Sequence, residues 1–127
     1  MASPPAAISD FVKSLSGYEV WLIGSRANCT ARENSDWDLL VFGSADLLAR
    51  LECQSMVEDV DVLVVVDRDR FQSPWKRTTD GVVKSGSLAG WKWTRKSERE
   101  ATYEGTKWPD DWGSPRRAVR IGGDDAV

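Results

Sequence analysis

The sequence predicts an α/β domain: a short mixed β-sheet flanked by helices. Three observations predict it. Apolar runs at Glu19 to Ile23, Trp37 to Phe42 and Val60 to Val66 have the length and β-branched content of buried strands. Two segments, Ala6 to Leu15 and Ala45 to about Gln54, place apolar residues at helical spacing. The second of these helices lies between the second and third runs. Those two strands should therefore be parallel and joined by a right-handed crossover.

The elements follow in order. Residues 1–5 read as a disordered lead. Ile8, Phe11, Val12 and Leu15 give the first helix its apolar face, and Ser16-Gly17 ends it. Glu19 to Ile23 is the first strand. Ser25 to about Cys29 reads as one or two helical turns with Ser25 near the N-cap. The polar stretch Thr30 to Ser35 is a loop, and Trp37 to Phe42 the second strand. Ser44 caps the next helix, which turns Leu47, Leu48 and Leu51 to the core. Val60 to Val66 is the third strand.

Later signals are weaker. Asp67 to Thr79 reads as a loop or short helix interrupted by Pro74. Trp91-Lys-Trp93 alternates like a strand edge. Ser97 to Thr106 reads as a largely polar helix. Trp108 to Pro115 carries the turn chemistry of an ordered loop. Gly122 to Val127 reads as a frayed end. The expected organisation is thus a lead at 1–5, a domain at 6–95 and a C-terminal extension at 96–127 that packs on it.

The chain has 127 residues, enough for one modest core. No apolar run reaches membrane-spanning length, and the N-terminus lacks the pattern of a signal peptide. Cys29 and Cys53 have no metal-ligand spacing and fit reduced thiols in the cytoplasm. There is no histidine, which excludes Ser-His-Asp and Cys-His nucleophile systems and every His-bearing zinc site. A metal would have to be held by oxygen, which favours Mg²⁺ or Mn²⁺.

Charge is uneven. Residues 1–66 hold 4 Lys/Arg and 10 Asp/Glu, a net of −6; residues 67–127 hold 13 and 10, a net of +3. This could place cations near a metal–phosphate site, but on charge alone a solvated surface is the favoured reading. Trp75, Trp91, Trp93, Trp108 and Trp112 crowd the second half. Base stacking is one use for them, but core filling is favoured for most.

The chemistry concentrates between residues 23 and 61. An apolar strand ends in Gly24-Ser25, where a small turn lets backbone approach phosphate and Ser25 begins an anion seat. Asp36 and Asp38 are two apart and share one face of a strand start, with Trp37 and Leu39 on the other. Two carboxylates so close repel unless a cation lies between them. Asp61 precedes Val-Leu-Val-Val-Val much as Asp38 precedes Leu-Leu-Val-Phe, so a parallel pairing sets both at one end of the sheet. Asp59 has the same parity and is the second choice for the third carboxylate. Asp67 also has it, but lies about 20 Å further along an extended strand.

Three such oxygen ligands suit one or two octahedral cations bridging to substrate phosphates. Other readings fail. An aspartyl-nucleophile phosphatase needs its first Asp at the end of an apolar strand, and Arg-Glu-Asn-Ser precedes Asp36. Gly24-Ser25 lacks the Gly-Lys-Ser/Thr of a P-loop, and no calcium-loop spacing is present.

Ile23-Gly24-Ser25, a spacer of about ten residues, Asp36-Trp37-Asp38-Leu39 and a later acidic residue together resemble the nucleotidyltransferase superfamily that includes DNA polymerase β. Gly24-Ser-Arg-Ala27 and Ser35-Asp-Trp-Asp-Leu-Leu-Val41 are most similar to its minimal nucleotidyltransferase members. The resemblance covers roughly Phe11 to Val83. It implies a short mixed sheet, two Mg²⁺ ions, and transfer of a nucleoside monophosphate from an NTP to a hydroxyl of a protein, RNA or small molecule. It implies Asp36, Asp38 and Asp61 as metal ligands, Asp61 also assisting deprotonation of the acceptor. Gly24 and Ser25 would contact the triphosphate, with Arg26 either helping or forming an exposed ion pair. The chain departs from the pattern at Cys29, where a Gly is common, and at Trp37, which replaces an aliphatic residue. Neither removes a ligand. Small members of the family commonly work with a separate protein partner. A catalytically weak binding module, antitoxin-like or regulatory, is therefore the alternative. A third reading makes the aspartates surface polarity alone, and it predicts that Asp36, Asp38 and Asp61 do not converge.

Overall fold

Leu39, Leu40, Val41, Val62 and Val64, all fully buried, form the centre of an eight-stranded mixed sheet in the computed structural model. The structure describes all residues except 1–5, 16, 28–36, 55–59, 76–84, 105–115 and 123–127; the side chains of Ser25 and Arg26 are also outside it. The expected features of 1–5, 30–35, 108–115 and 123–127 therefore lie outside the described residues, as do Cys29, Asp36 and Asp59.

The elements are α1 (Ala6–Ser14), β1 (Glu19–Ile23), α2 (Gly24–Ala27), β2 (Trp37–Phe42), α3 (Ala45–Glu52), β3 (Val60–Val65), β4 (Arg70–Gln72), β5 (Ser85–Ser87), α4 (Leu88–Trp91), β6 (Thr94–Arg95), β7 (Glu100–Tyr103) and β8 (Arg116–Gly122). The sheet order is β5-β4-β3-β2-β1-β8-β7-β6. β2 and β3 run parallel, as the helical crossover between them requires; every other pairing is antiparallel. Ser44 caps α3, its hydroxyl accepting from the Leu47 amide at 3.1 Å.

Strand alternation splits the core in two. On one face, Val20, Leu22, Trp37, Leu39, Val41, Val60, Val62 and Val64 pack with Ile8 and Phe11 of α1 and Leu47 and Leu51 of α3. Trp75 closes this side, its ring 5.8 Å from that of Phe11 and its Nε1 donating to the Leu51 carbonyl at 3.0 Å. Trp37 is 5 % exposed, so this helix-covered layer accommodates the larger side chain.

The other face carries Trp21, Ile23, Leu40, Leu63 and Val65. It is covered mainly by the outer parts of the sheet curling over it, with Phe71, Leu88, Ala101, Tyr103 and Ala118. Trp91 shows the curl: its ring lies 4.6 Å from Phe71 on β4 and 5.2 Å from Tyr103 on β7, strands far apart in the sheet order. Trp93 fills the adjoining space against Trp21, Phe42 and Tyr103. The described tryptophans of the second half thus serve the core.

Four expectations need correcting. The sheet is long and curled rather than short, because β4 to β8 add five strands. The described part of Ser97 to Thr106, residues 97–104, is no helix: it contains β7, where pairing with β8 buries Ala101 and Tyr103 on alternate positions. Trp91-Lys-Trp93 is not a strand; Trp91 ends α4, and Lys92, with φ +55°, turns the chain out of it. The segment after Val66 contains β4, which pairs with both β3 and β5.

Asp67 organises the turn between β3 and β4. Its Oδ1 accepts from the amides of Arg70 (2.7 Å) and Asp69 (3.2 Å), and its Oδ2 from Arg70 Nε at 2.7 Å. The Arg70 amide, then its guanidinium, holds the carboxyl below the usual aspartate value. Its titration by carboxyl ¹³C NMR should therefore have a midpoint below 3.8. The lowered value makes the turn's contribution complete above the unfolded pKa. That contribution is lost as pH falls through the folded one.

Candidate functional site

The site forms where β1, β2 and β3 meet the turn that follows β1. In the antiparallel ladder Asp38 lies opposite Ile23; in the parallel ladder it lies directly beside Asp61. Adjacent strands are about 4.8 Å apart, so the two carboxylates are lateral neighbours at one end of the sheet. Alternation sets both on the face of Leu40 and Leu63, opposite the layer of Trp37 and Leu39. Both are half-buried. Asp67 is at the far end of β3, engaged with Arg70.

Gly24 adjoins this pair. Its φ is +71°, a backbone region that side chains disfavour. Asp38 occupies the space a side chain would need: a β-carbon at Gly24 would overlap Asp38 Oδ2 and lie 3.1 Å from Cγ. The group that lies against the glycine is the Asp38 carboxylate.

The Gly24 amide donates a 2.8 Å hydrogen bond to the hydroxyl of Tyr103 on β7. Tyr103 is 4 % exposed, its ring stacked against Trp91. Sequence reasoning missed this residue because it placed Tyr103 in a helix. The alternation Glu100-Ala-Thr-Tyr103, with two strand-favouring residues, was the available signal.

Asp38, Asp61 and Gly24 are therefore brought together. Ser25 and Arg26 belong to α2 directly after Gly24. Asp36, the first expected ligand, and Asp59, the alternative third, lie outside the described residues. Among the described residues no group of three or more His, Cys, Asp or Glu is placed to hold a metal ion. No described helix is long and apolar enough to cross a membrane.

A mixed sheet with an Asp-bearing parallel pair beside a glycine turn defines the α/β class of the domain. The more particular statement comes from comparison with known families. Residues 6–57 match the model of the nucleotidyltransferase domain, so that part of the chain is similar to the nucleotidyltransferase superfamily. No curated protein and no solved structure matched.

Proposed function

We propose that the chain is a metal-dependent nucleotidyltransferase that moves a nucleoside monophosphate from an NTP to a hydroxyl acceptor in the cytoplasm. The observation that carries this is the juxtaposition of Asp38 and Asp61 against Gly24, in a segment that follows the family pattern.

That donor set fits Mg²⁺ or Mn²⁺, because the ligands are hard oxygens. Asp36, Asp38 and Asp61 would hold the metal. When bound, the metal neutralises the triphosphate and stabilises the leaving pyrophosphate. Asp61 takes the proton of the acceptor hydroxyl as its oxygen bonds to the α-phosphorus. The bond from that phosphorus to the bridging oxygen breaks, and pyrophosphate leaves with the electron pair. Gly24 lets backbone lie against the triphosphate, and Ser25 and Arg26 contact it. Positioning and fixed charge carry the catalysis.

Titration calorimetry of the wild type with ATP, and with other NTPs, should show binding that requires Mg²⁺. Asp36→Asn with Asp38→Asn should abolish it. Metal-independent binding, or binding unchanged in the double variant, would sink the proposal.

A further inference from the structure

The last strand brings an arginine to the same site. β8 runs antiparallel to β1 with Leu22 opposite Val119 and Trp21 opposite Arg120. Going toward Gly24 along β1 therefore means going toward Arg116 along β8, and α2 packs against β8. From the other side, Arg116 is the register partner of Tyr103, whose hydroxyl holds the Gly24 amide. The direction of β8 along β1 and the register of β8 with β7 thus both set Arg116 toward the glycine turn.

Alternation fixes its face. Arg116 shares parity with Ala118, which is fully buried in the aromatic core with Tyr103. That is the face on which Asp38 and Asp61 stand. Arg116 is half-buried. Its neighbour Arg117 points the other way, exposed and paired with Glu100 at 3.4 Å. Arg120 has the parity of Arg116 but lies beside Trp21, nearer the middle of β1, with its Nε on the Gly122 carbonyl.

We propose that Arg116 is a phosphate-binding residue of this site, giving its guanidinium to the triphosphate chain beside Gly24. The assignment rests on the nucleotidyl-transfer reading and deepens it. The chemistry suits the place. Asp38 and Asp61 supply negative charge, and a polyphosphate needs cations other than the metal. A guanidinium forms two parallel hydrogen bonds to phosphate oxygens, where an ammonium acts as a point charge.

Binding of magnesium tripolyphosphate and of Mg-ATP, measured by calorimetry, tests this without requiring turnover. Arg116→Gln should weaken both by about 10- to 100-fold. Arg117→Gln, one residue away on the opposite face, should change neither by more than about 2-fold. Arg116→Lys keeps the charge, guards against misfolding of the Gln variant, and should fall between. Equal effects of Arg116→Gln and Arg117→Gln would mean that only net charge matters and would overturn the assignment. So would wild-type affinity in Arg116→Lys together with Arg116→Gln. If the wild type itself binds neither probe, the nucleotidyl-transfer reading fails first, and this assignment falls with it.

Discussion

Asp61→Asn is expected to lower nucleotidyl transfer by about 10²- to 10⁴-fold, the range for loss of a positioned acid or base. NTP affinity should fall far less, because Asp38 and the glycine turn remain. Asparagine removes the charge of Asp61 at nearly constant shape. Single-turnover rates with labelled nucleotide and nucleotide calorimetry separate the two quantities, and thermal melting checks that the variant is folded. Unchanged turnover in the folded variant would remove Asp61 from the mechanism.

Gly24→Ala should damage both fold and site. The left-handed conformation alone costs a non-glycine residue about 1–2 kcal/mol. The new methyl would also overlap Asp38 Oδ2, and Cβ and Cγ of Asp38 crowd it as well. Relief requires the turn or the carboxylate to move. A displacement of about 1 Å in a catalytic group can cost 10²-fold in rate. Denaturant melts should show the stability loss, and Mg-dependent NTP binding should weaken with it. Wild-type binding in Gly24→Ala would mean that the contact with Asp38 has no functional role.

Much of the first half was legible because its strands are buried on both faces. β1 and β2 have the expected bounds, and β3 stops one residue short of the expected Val66. Each is a near-continuous apolar run between polar breaks, a pattern few other structures satisfy. The pairing of Asp38 with Asp61 was legible for the same reason: matched strand starts in a parallel crossover fix the register.

The second half was opaque because its strands are short and held by partners distant in sequence. β5 is Ser-Gly-Ser, β6 is Thr-Arg, and β7 starts at a glutamate. Nothing local favours a strand at the first of these. β7 exists because β8 pairs with it, and Tyr103 reaches the site only as a result. The alternation Glu100-Ala-Thr-Tyr103 could have returned the strand, but the hydrogen bond of Tyr103 to Gly24 is a tertiary fact that no spacing rule would have returned.

The insertion of β8 between β1 and β7 has a consequence for the order of assembly. Trp21 and Arg120 are register partners although they stand near opposite ends of the sequence. Closing so long a loop costs entropy before it gains contacts, and such pairings fold slowly. The crossover from β2 through α3 to β3 can form early, but one edge of β1 stays open until Arg116–Gly122 arrives. During synthesis the glycine turn would thus exist before the strand that completes its surroundings. Until that strand docks, the exposed edge of β1 is a place where another chain could pair.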